Sequence, residues 1–172
     1  MMRQKLGFQL EKAEDEEIIS HLEQVLQVTE TDMTIFFRNL AKIDRSAETD
    51  EKGAFLAPLM DAFYQPEEIK GELLKTWRVW LDRYLKRLQE EEFSDEERSL
   101  LMNKVNPKYV LRNYMAQMAI DKADKNDFSL LDELHQMLKK PYDEQPEYEQ
   151  WFAKRPEWAR HKVGSSMLSC SS

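Results

Sequence analysis

The sequence predicts an all-α fold, an irregular helical bundle with an extended C-terminal segment rich in proline and aromatic residues and a flexible tail. Apolar residues recur at helical spacing along most of the 172 residues, and no stretch alternates convincingly with the period of two that marks a strand. The composition agrees, because 34% of the residues are charged and only 4 are glycine, which suits a helical protein better than a sandwich or barrel.

The bulk composition argues against several classes of partner. The formal net charge of -8 disfavours nucleic acid and anionic membrane surfaces, since both attract basic proteins. No apolar run approaches the ~20 residues that a membrane-spanning helix needs. The single cysteine excludes an internal disulfide framework and is typical of a reducing compartment, so we expect a cytoplasmic protein.

Two helices and a helical turn are predicted in the first third of the chain. Acidic residues 14–17 precede an apolar stripe over residues 18–26, and acidic side chains stabilise a helix N-terminus. Asp32 is placed to cap a second helix over residues 33–40. Residues 55–64 are apolar but contain a proline, so they predict only a short helical turn.

The longest predicted helix begins at Pro66. Proline at the first helical position, with glutamates at 67–68 in the first turn, is a typical helix start. Its apolar stripe includes Trp77, Trp80 and Tyr84, which we interpret as core rather than as a ligand-binding box, because helical spacing alone explains them.

Three more helices are predicted from their N-terminal signals. Ser94-x-x-Glu97 is a capping box, Asn106-Pro107 opens the next helix, and Ser129 caps the last.

The amino-acid composition of the chain changes after residue 140. Prolines and large aromatic residues alternate there, which indicates an ordered extended segment with one helical turn near residues 148–152. We therefore expect one helical domain over residues 1–159 and a flexible tail over residues 160–172.

Metal-binding patterns are not recognisable in the sequence. His21, His135 and His161 lie far apart and outside any His-Glu-x-x-His arrangement, so we interpret them as structural or surface residues. Residues 124–129 resemble a calcium loop only faintly, because Ser129 replaces the required glycine. The sequence thus assigns no catalytic, cofactor-binding or metal-ligating residue to this chain.

Other charged motifs have simple structural interpretations. The acidic runs at residues 14–17 and 90–92 are expected to be solvated helix ends. The Asp127-Phe128 pair before Ser129 resembles the magnesium-binding motif of kinases, but no glycine-rich loop or catalytic loop precedes it. It therefore predicts a turn into a helix.

Arg112 and Asn113 are the candidate docking residues. We expect them in the first turns of the helix opened by Asn106-Pro107, beside large apolar residues. An arginine there can bond a carboxylate or the exposed carbonyls of a neighbouring segment. A tie between segments is the favoured interpretation, and a plain surface residue or a substrate-binding role are the alternatives.

Cys170 is the candidate redox residue. It lies third from the C-terminus among serines, where a thiol is seldom packed into a core. Accessibility and thiolate character decide whether a thiol is reactive. An incidental free thiol is the alternative.

Seven short segments, taken in order, resemble the C-terminal part of selenoprotein O-type proteins, the YdiU family. The ordered set covers nearly all of the chain, which makes it specific although each segment alone is weak. The segments are Met2-Arg3-x-Lys5-Leu6-Gly7-Phe8, Asp32-Met33-Thr34-x-Phe36-Phe37-Arg38, Asn106-Pro107-x-Tyr109-Val110-Leu111-Arg112-Asn113-Tyr114, Asn126-Asp127-Phe128-Ser129, Pro141-Tyr142-Asp143-Glu144-Gln145-Pro146, Pro156-Glu157-Trp158-Ala159 and Ser169-Cys170-Ser171-Ser172.

The resemblance implies a protein adenylyltransferase, in which a kinase-like domain uses ATP and magnesium to transfer AMP to protein hydroxyls. It also implies that Cys170, at a position where some members carry selenocysteine, can pair with a cysteine of the catalytic domain. The family's nucleotide-binding lysine, catalytic aspartate and metal ligands lie upstream of the matched region. This chain therefore resembles the C-terminal helical part, without a cofactor of its own.

The expected role is to support the kinase-like catalytic domain and to present Cys170. The chain is rich in large apolar residues, including 9 Met and 8 Phe, so we also expect an uncovered apolar face and self-association when it is alone. A free-standing helical interaction module is the alternative, and an independent enzyme is the least supported class.

Overall fold

The fold is all-α, as the sequence predicts. The computed structural model describes residues 1–50 and 53–161, and these residues contain no strand, only one isolated antiparallel bridge between Thr31 and Phe63. None of the helices described there combines the length and the apolar character needed to cross a bilayer. The helices are α1 (Met2–Lys5), α2 (Asp15–Gln27), α3 (Met33–Leu40), α4 (Gly71–Gln89), α5 (Asp95–Val105), α6 (Asn113–Ala123), α7 (Ser129–Leu138) and α8 (Glu157–His161), with 3₁₀ helices at Ala54–Ala62, Pro66–Glu68 and Pro146–Trp151.

The chain divides into two compact units, with the division between Asn106 and Pro107. We call residues 1–106 the N-terminal unit and the described residues from 107 onward the C-terminal unit. The single domain predicted over residues 1–159 spans both units, and its boundaries stay a prediction. Arg160 and His161, assigned to the predicted tail, belong to α8, and the rest of that tail lies outside the described residues.

An aromatic cluster forms the core of the N-terminal unit. Trp77, Trp80 and Tyr84 of α4 are fully buried, which confirms that this stripe is core. Trp80 stacks on Tyr84 with ring centroids 5.1 Å apart, and Phe36 and Phe63 lie 5.7 and 5.1 Å from Trp77. Side chains of this size supply most of the apolar area that stabilises a small helical unit.

The polar atoms of these aromatic residues join α4 to the segments around it. The Trp80 Nε1–H donates to the Ile18 carbonyl at 3.1 Å, and the Tyr84 hydroxyl donates to the Leu6 carbonyl at 2.9 Å. Burial raises the pKa of Tyr84 far above its ordinary value, so the phenol remains a donor. The same residues thus provide both the core and its orientation relative to α1 and α2.

Several predicted element boundaries are confirmed. The helix predicted over residues 18–26 is α2, and Asp32 caps α3 by accepting the Ile35 N–H at 3.1 Å. Ser94 and Glu97 form both bonds of the predicted capping box at α5. The turn predicted over residues 55–64 is the 3₁₀ helix Ala54–Ala62.

The start of the longest helix differs from the prediction. Pro66 begins only a three-residue 3₁₀ turn, and α4 starts at Gly71. Lys70 is extended and Gly71 has a φ of +57°, a left-handed conformation that favours glycine and interrupts a continuous helix. The proline signal was therefore correct for a helical turn but wrong for the long helix.

The helix predicted to open at Asn106-Pro107 begins later, at Asn113. Asn106 instead ends α5 in an extended conformation, as expected for a residue that precedes proline. The Lys108 and Tyr109 N–H groups then donate to the Pro141 carbonyl, at 2.7 and 3.0 Å, rather than to a helix. A tertiary contact therefore keeps this segment extended.

Ser129 is the first residue of α7 and not its cap, which corrects another prediction. Phe128 occupies the cap position, and the Asp127 carboxylate accepts the Ser129 N–H at 3.0 Å. The hydrogen bonds from Ser129, together with the nearby Lys122, hold the pKa of Asp127 below its usual range. Asp127 thus provides the side-chain acceptor at the start of α7, a role that the sequence analysis assigned to Ser129.

The C-terminal unit is built on the pair α6 and α7. The turn predicted near residues 148–152 is the 3₁₀ helix Pro146–Trp151, whereas α8 was not predicted. Tyr148, Trp151 and Phe152 pack against the core of this unit. That core consists of Tyr109, Tyr114, Met115, Ala119, Leu130, Leu134, Met137 and Ala159.

Candidate functional site

The strongest candidate site is an apolar groove between α6 and α7. Its volume is about 520 Å³, and its lining is almost entirely apolar. On α6, Ala116, Ala119 and Ala123 repeat at helical spacing and leave room beside the helix. Ile120 and Leu131 line the same groove and are 54% and 51% exposed, so large apolar side chains face solvent there.

The polar groups of this groove are few. Asp132 and His135 of α7 contribute to its lining, and both are exposed. Leu111, in the extended segment before α6, is a further lining residue and is 53% exposed. An apolar surface with one carboxylate and one imidazole can bind an apolar partner and select its charge, but it does not resemble a catalytic constellation.

A hydrogen-bonded tie holds the groove's unit together. Both Lys108 and Tyr109 donate their N–H groups to the Pro141 carbonyl, and the Tyr109 hydroxyl donates to the Gln145 carbonyl at 2.8 Å. The Gln145 amide in turn donates to the Met137 carbonyl at the end of α7, at 3.0 Å. The tie joins two segments that the sequence singles out, around residues 106–114 and 141–146.

A buried lysine adds charge to this tie. Lys108 is only 7% exposed, and its Nζ donates to Glu144 and Glu149 at 2.6 and 2.5 Å. The ammonium also lies 5.1 Å from the centre of the Phe152 ring. Burial alone would lower the pKa of Lys108, but the two carboxylates raise it above its ordinary value.

Arg112 and Asn113 sit at the start of α6, close to the predicted place. Arg112 is the N-cap residue, half-buried and extended, and its carbonyl accepts the Met115 N–H at 2.9 Å. Asn113 is exposed as the first helical residue. The hydrogen bonds between segments described above come from Lys108 and Tyr109, which precede Arg112 in the same extended segment. A docking role for Arg112 and Asn113 stays a prediction.

The N-terminal unit contains a buried ionic cluster that the sequence analysis missed. Arg87 donates through Nε to Asp15 at 2.7 Å and through Nη1 to Glu91 at 2.8 Å, and all three side chains are almost fully buried. The expectation that both acidic runs are solvated was therefore wrong at Asp15 and Glu91. The other residues of the two acidic runs, such as Glu14 and Glu90, are exposed. A period-3.6 reading of α4 that included Arg87 could have shown that this arginine faces the core, but not that Asp15 is its partner.

A second buried arginine, Arg98, explains the glycine Gly7 in the sequence motif Met2-Arg3-x-Lys5-Leu6-Gly7-Phe8. Arg98 donates to the Leu40 carbonyl at 3.4 Å and to the Ile43 carbonyl. Gly7 lies against this side chain with a φ of +82°, and a Cβ there would stand 3.0 Å from both Arg98 Cγ and Met102 Sδ. The left-handed conformation therefore favours glycine, and the contact leaves little room for a Cβ.

The remaining candidates are histidines and the cysteine. His135 and His161 are exposed, and His21 is half-buried with its Nδ1 unbonded among the described residues. Burial, assisted by Arg83, lowers the pKa of His21. Residues 1–50 and 53–161 contain no group of three or more His, Cys, Asp or Glu arranged for a metal ion. Cys170 lies outside the described residues.

The chain is similar to a known family over most of its length and to curated relatives over all of it. Residues 1–139 match the family described as protein adenylyltransferase SelO. The protein nucleotidyltransferase YdiU of Flavobacterium johnsoniae is 56% identical over 172 residues, which is 100% of this chain and 32% of that protein. The protein of the same name from Rhodopirellula baltica is 47% identical over 180 residues, covering 100% of this chain and 33% of that relative.

The chain thus spans about a third of the length of the curated relatives it matches. The family match includes α1 to α7, and therefore both the groove and most of the tie that supports it. The all-α fold, the ordered motifs and these matches agree. The chain belongs to the protein adenylyltransferase SelO family.

Proposed function

We propose that this chain is the helical part of a protein adenylyltransferase and that it supports the catalytic part of that enzyme. One observation carries the proposal: relatives named nucleotidyltransferases match all of this chain, yet the chain spans only about a third of their length. The apolar groove on the C-terminal unit supports it, because large apolar surfaces on soluble proteins commonly mark sites of association.

The activity proposed for the whole protein is AMP transfer from ATP to serine, threonine or tyrosine hydroxyls of other proteins. The hydroxyl oxygen forms a bond to the α-phosphorus, the bond to pyrophosphate breaks, and the hydroxyl proton passes to a base. Magnesium supplies charge neutralisation at the phosphates when bound. This chemistry needs a lysine at the phosphates, metal ligands and a base, and by the family resemblance these belong to the catalytic part.

Cys170 is the proposed redox residue of this chain. By the family resemblance, its thiol pairs with a cysteine of the catalytic part, and a disulfide there would restrain the C-terminal end. The single cysteine is also consistent with a cytoplasmic location, which we include in the proposal.

The test combines binding and reconstitution. The isolated chain, titrated with ATP and magnesium in a calorimeter, is expected to show no saturable micromolar binding. Mixed with the remaining two thirds of the Flavobacterium johnsoniae relative, it is expected to restore AMP incorporation into protein, followed by mass spectrometry. The matched third of that relative is the positive control.

Two results would contradict the proposal. Saturable ATP binding by the isolated chain would point to an independent nucleotide-binding protein. Failure of reconstitution, when the relative's own third succeeds, would favour the alternative of a free-standing interaction module.

A further inference from the structure

The geometry points to the α6–α7 groove as the surface on which the remaining part of the family protein docks, through an apolar helical segment that carries a basic residue beside its apolar ridge. This inference rests on the proposed function and names the contact surface that the function needs. It assigns the groove, and not the N-terminal unit, as the main site of attachment.

The groove has the shape that a helix recognises. The three alanines of α6 allow another backbone to approach closely, and Ile120 and Leu131 stand half-exposed where they can contact its side chains. Amphipathic helices bind such grooves by inserting apolar residues at positions i, i+3, i+4 and i+7. A volume of about 520 Å³ has room for several inserted side chains.

The charge of the groove indicates the chemistry of the occupant. Asp132 contributes to the lining and is exposed. A carboxylate at the edge of an apolar surface favours a partner with a lysine or arginine at the matching position, because complementary charge fixes orientation and excludes wrong partners.

A second copy of this chain is a poorer occupant. A concave groove is not complementary to itself, so a two-fold contact between two such grooves would leave the space unfilled and bring two Asp132 carboxylates towards each other. A head-to-tail contact would need a convex apolar ridge elsewhere. The exposed apolar residues Val79 and Leu100 of the N-terminal unit lie on different helices, α4 and α5.

The length of chain outside the structure favours the remaining part of the same protein. About two thirds of each matched relative lies beyond the region that this chain spans. A groove whose apolar residues are half-exposed here is then covered in the whole protein. This explains why α6 and α7 carry Ile120 and Leu131 at positions that the packing of their own unit leaves exposed.

The experiment measures binding of this chain to the remaining two thirds of the Flavobacterium johnsoniae relative by calorimetry. Ile120→Asp and Leu131→Asp place a charge in the groove at positions already open to solvent, so the unit should still fold, which circular dichroism and the melting temperature check. Val79→Asp and Leu100→Asp, exposed apolar residues of the N-terminal unit, are the matched controls. Asp132→Lys tests the predicted charge.

We expect each groove variant to weaken binding at least tenfold, Asp132→Lys to weaken it several-fold and more at low salt, and the controls to change it less than twofold. Equal affinities for groove and control variants would overturn the groove as the docking site while leaving the proposed function intact. No binding by the unaltered chain, when the relative's own matched third binds, would overturn the proposed function itself. A concentration-dependent dimer abolished by Ile120→Asp would instead assign the groove to a second copy.

Discussion

The guanidinium of Arg87 on α4 donates through Nε to the Asp15 carboxylate on α2 at 2.7 Å, with both side chains almost completely buried. Its other nitrogens donate to Glu91 at 2.8 Å and to the Leu10 carbonyl at 2.7 Å. Burial opposes the charge, but the two carboxylates more than offset it, so the pKa of Arg87 is raised. One side chain therefore links two helices and the loop between α1 and α2.

Replacing Arg87 should cost much of the stability of the N-terminal unit. Arg87→Met leaves two buried carboxylates without their cation, and breaking a buried pair costs about 3–5 kcal/mol. Urea unfolding measures the loss. Lys75→Met, which removes the exposed pair of Lys75 with Glu72, is the control and should change stability by less than about 1 kcal/mol. Equal losses in the two variants would show that the Arg87 cluster is not a major contributor.

Removing the Tyr109 hydroxyl should loosen the tie in the C-terminal unit. Tyr109→Phe loses the hydrogen bond to the Gln145 carbonyl, which is worth about 1 kcal/mol. Hydrogen exchange of the Lys108 and Tyr109 amides should become faster by about the factor to which this free energy of the hydrogen bond corresponds. In Tyr148→Phe, which removes a hydroxyl with no hydrogen bond among the described residues, exchange should stay unchanged. Unaltered protection in Tyr109→Phe would rule out the tie as a stabilising element.

His21 should make the stability of the N-terminal unit depend on pH. Its folded pKa lies below the ordinary value of about 6.5, so the unfolded state takes up a proton at a higher pH than the folded state. The free energy of unfolding of this unit is then greatest above about pH 6.5 and decreases as the pH falls through the folded pKa. The melting temperature of the unaltered chain, measured from pH 8 to 5, should fall more steeply towards acidic pH than that of His21→Gln. Parallel profiles would contradict the assignment.

The thiol of Cys170 is expected to react quickly with a thiol reagent in the native protein. Mild oxidation of the isolated chain should then give a linked dimer or a glutathione adduct, because the chain has no second cysteine. Native-state labelling followed by mass spectrometry tests this, with Cys170→Ser as the control. Labelling as slow as global unfolding would mean a buried thiol and would remove Cys170 from the redox proposal.

Local sequence patterns were sufficient to predict the helices whose start signals lie within a few neighbouring residues. The capping box at Ser94 and Glu97 and the cap at Asp32 involve residues three apart, so their bonds form wherever the chain turns into a helix. The aromatic stripe of α4 was recognisable as core for the same reason, since its spacing is a property of the helix itself.

Tertiary contacts near the docking candidates could not be predicted from local sequence signals. Arg112 and Asn113 lie at the start of α6, close to the predicted place, and Lys108 and Tyr109, which local signals did not single out as candidates, form hydrogen bonds to the segment after residue 140. The groove could not be predicted either. The alanines of α6 and the exposed Leu131 of α7 become one surface only when the two helices pack side by side.

The sequence by itself determined the all-α fold, the core stripe of α4 and membership of a family, because helical periodicity and ordered motifs are carried by neighbouring residues. Only the tertiary structure decided that Asp15 and Glu91 are buried around Arg87, which lies 72 residues from Asp15 along the chain. It also decided that Lys108 and Tyr109 donate to the Pro141 carbonyl instead of entering a helix and that α6 and α7 leave a groove between them. The physical reason is common to all three: charge burial, capture of an N–H by a distant carbonyl, and space between helices depend on residues that meet only after folding.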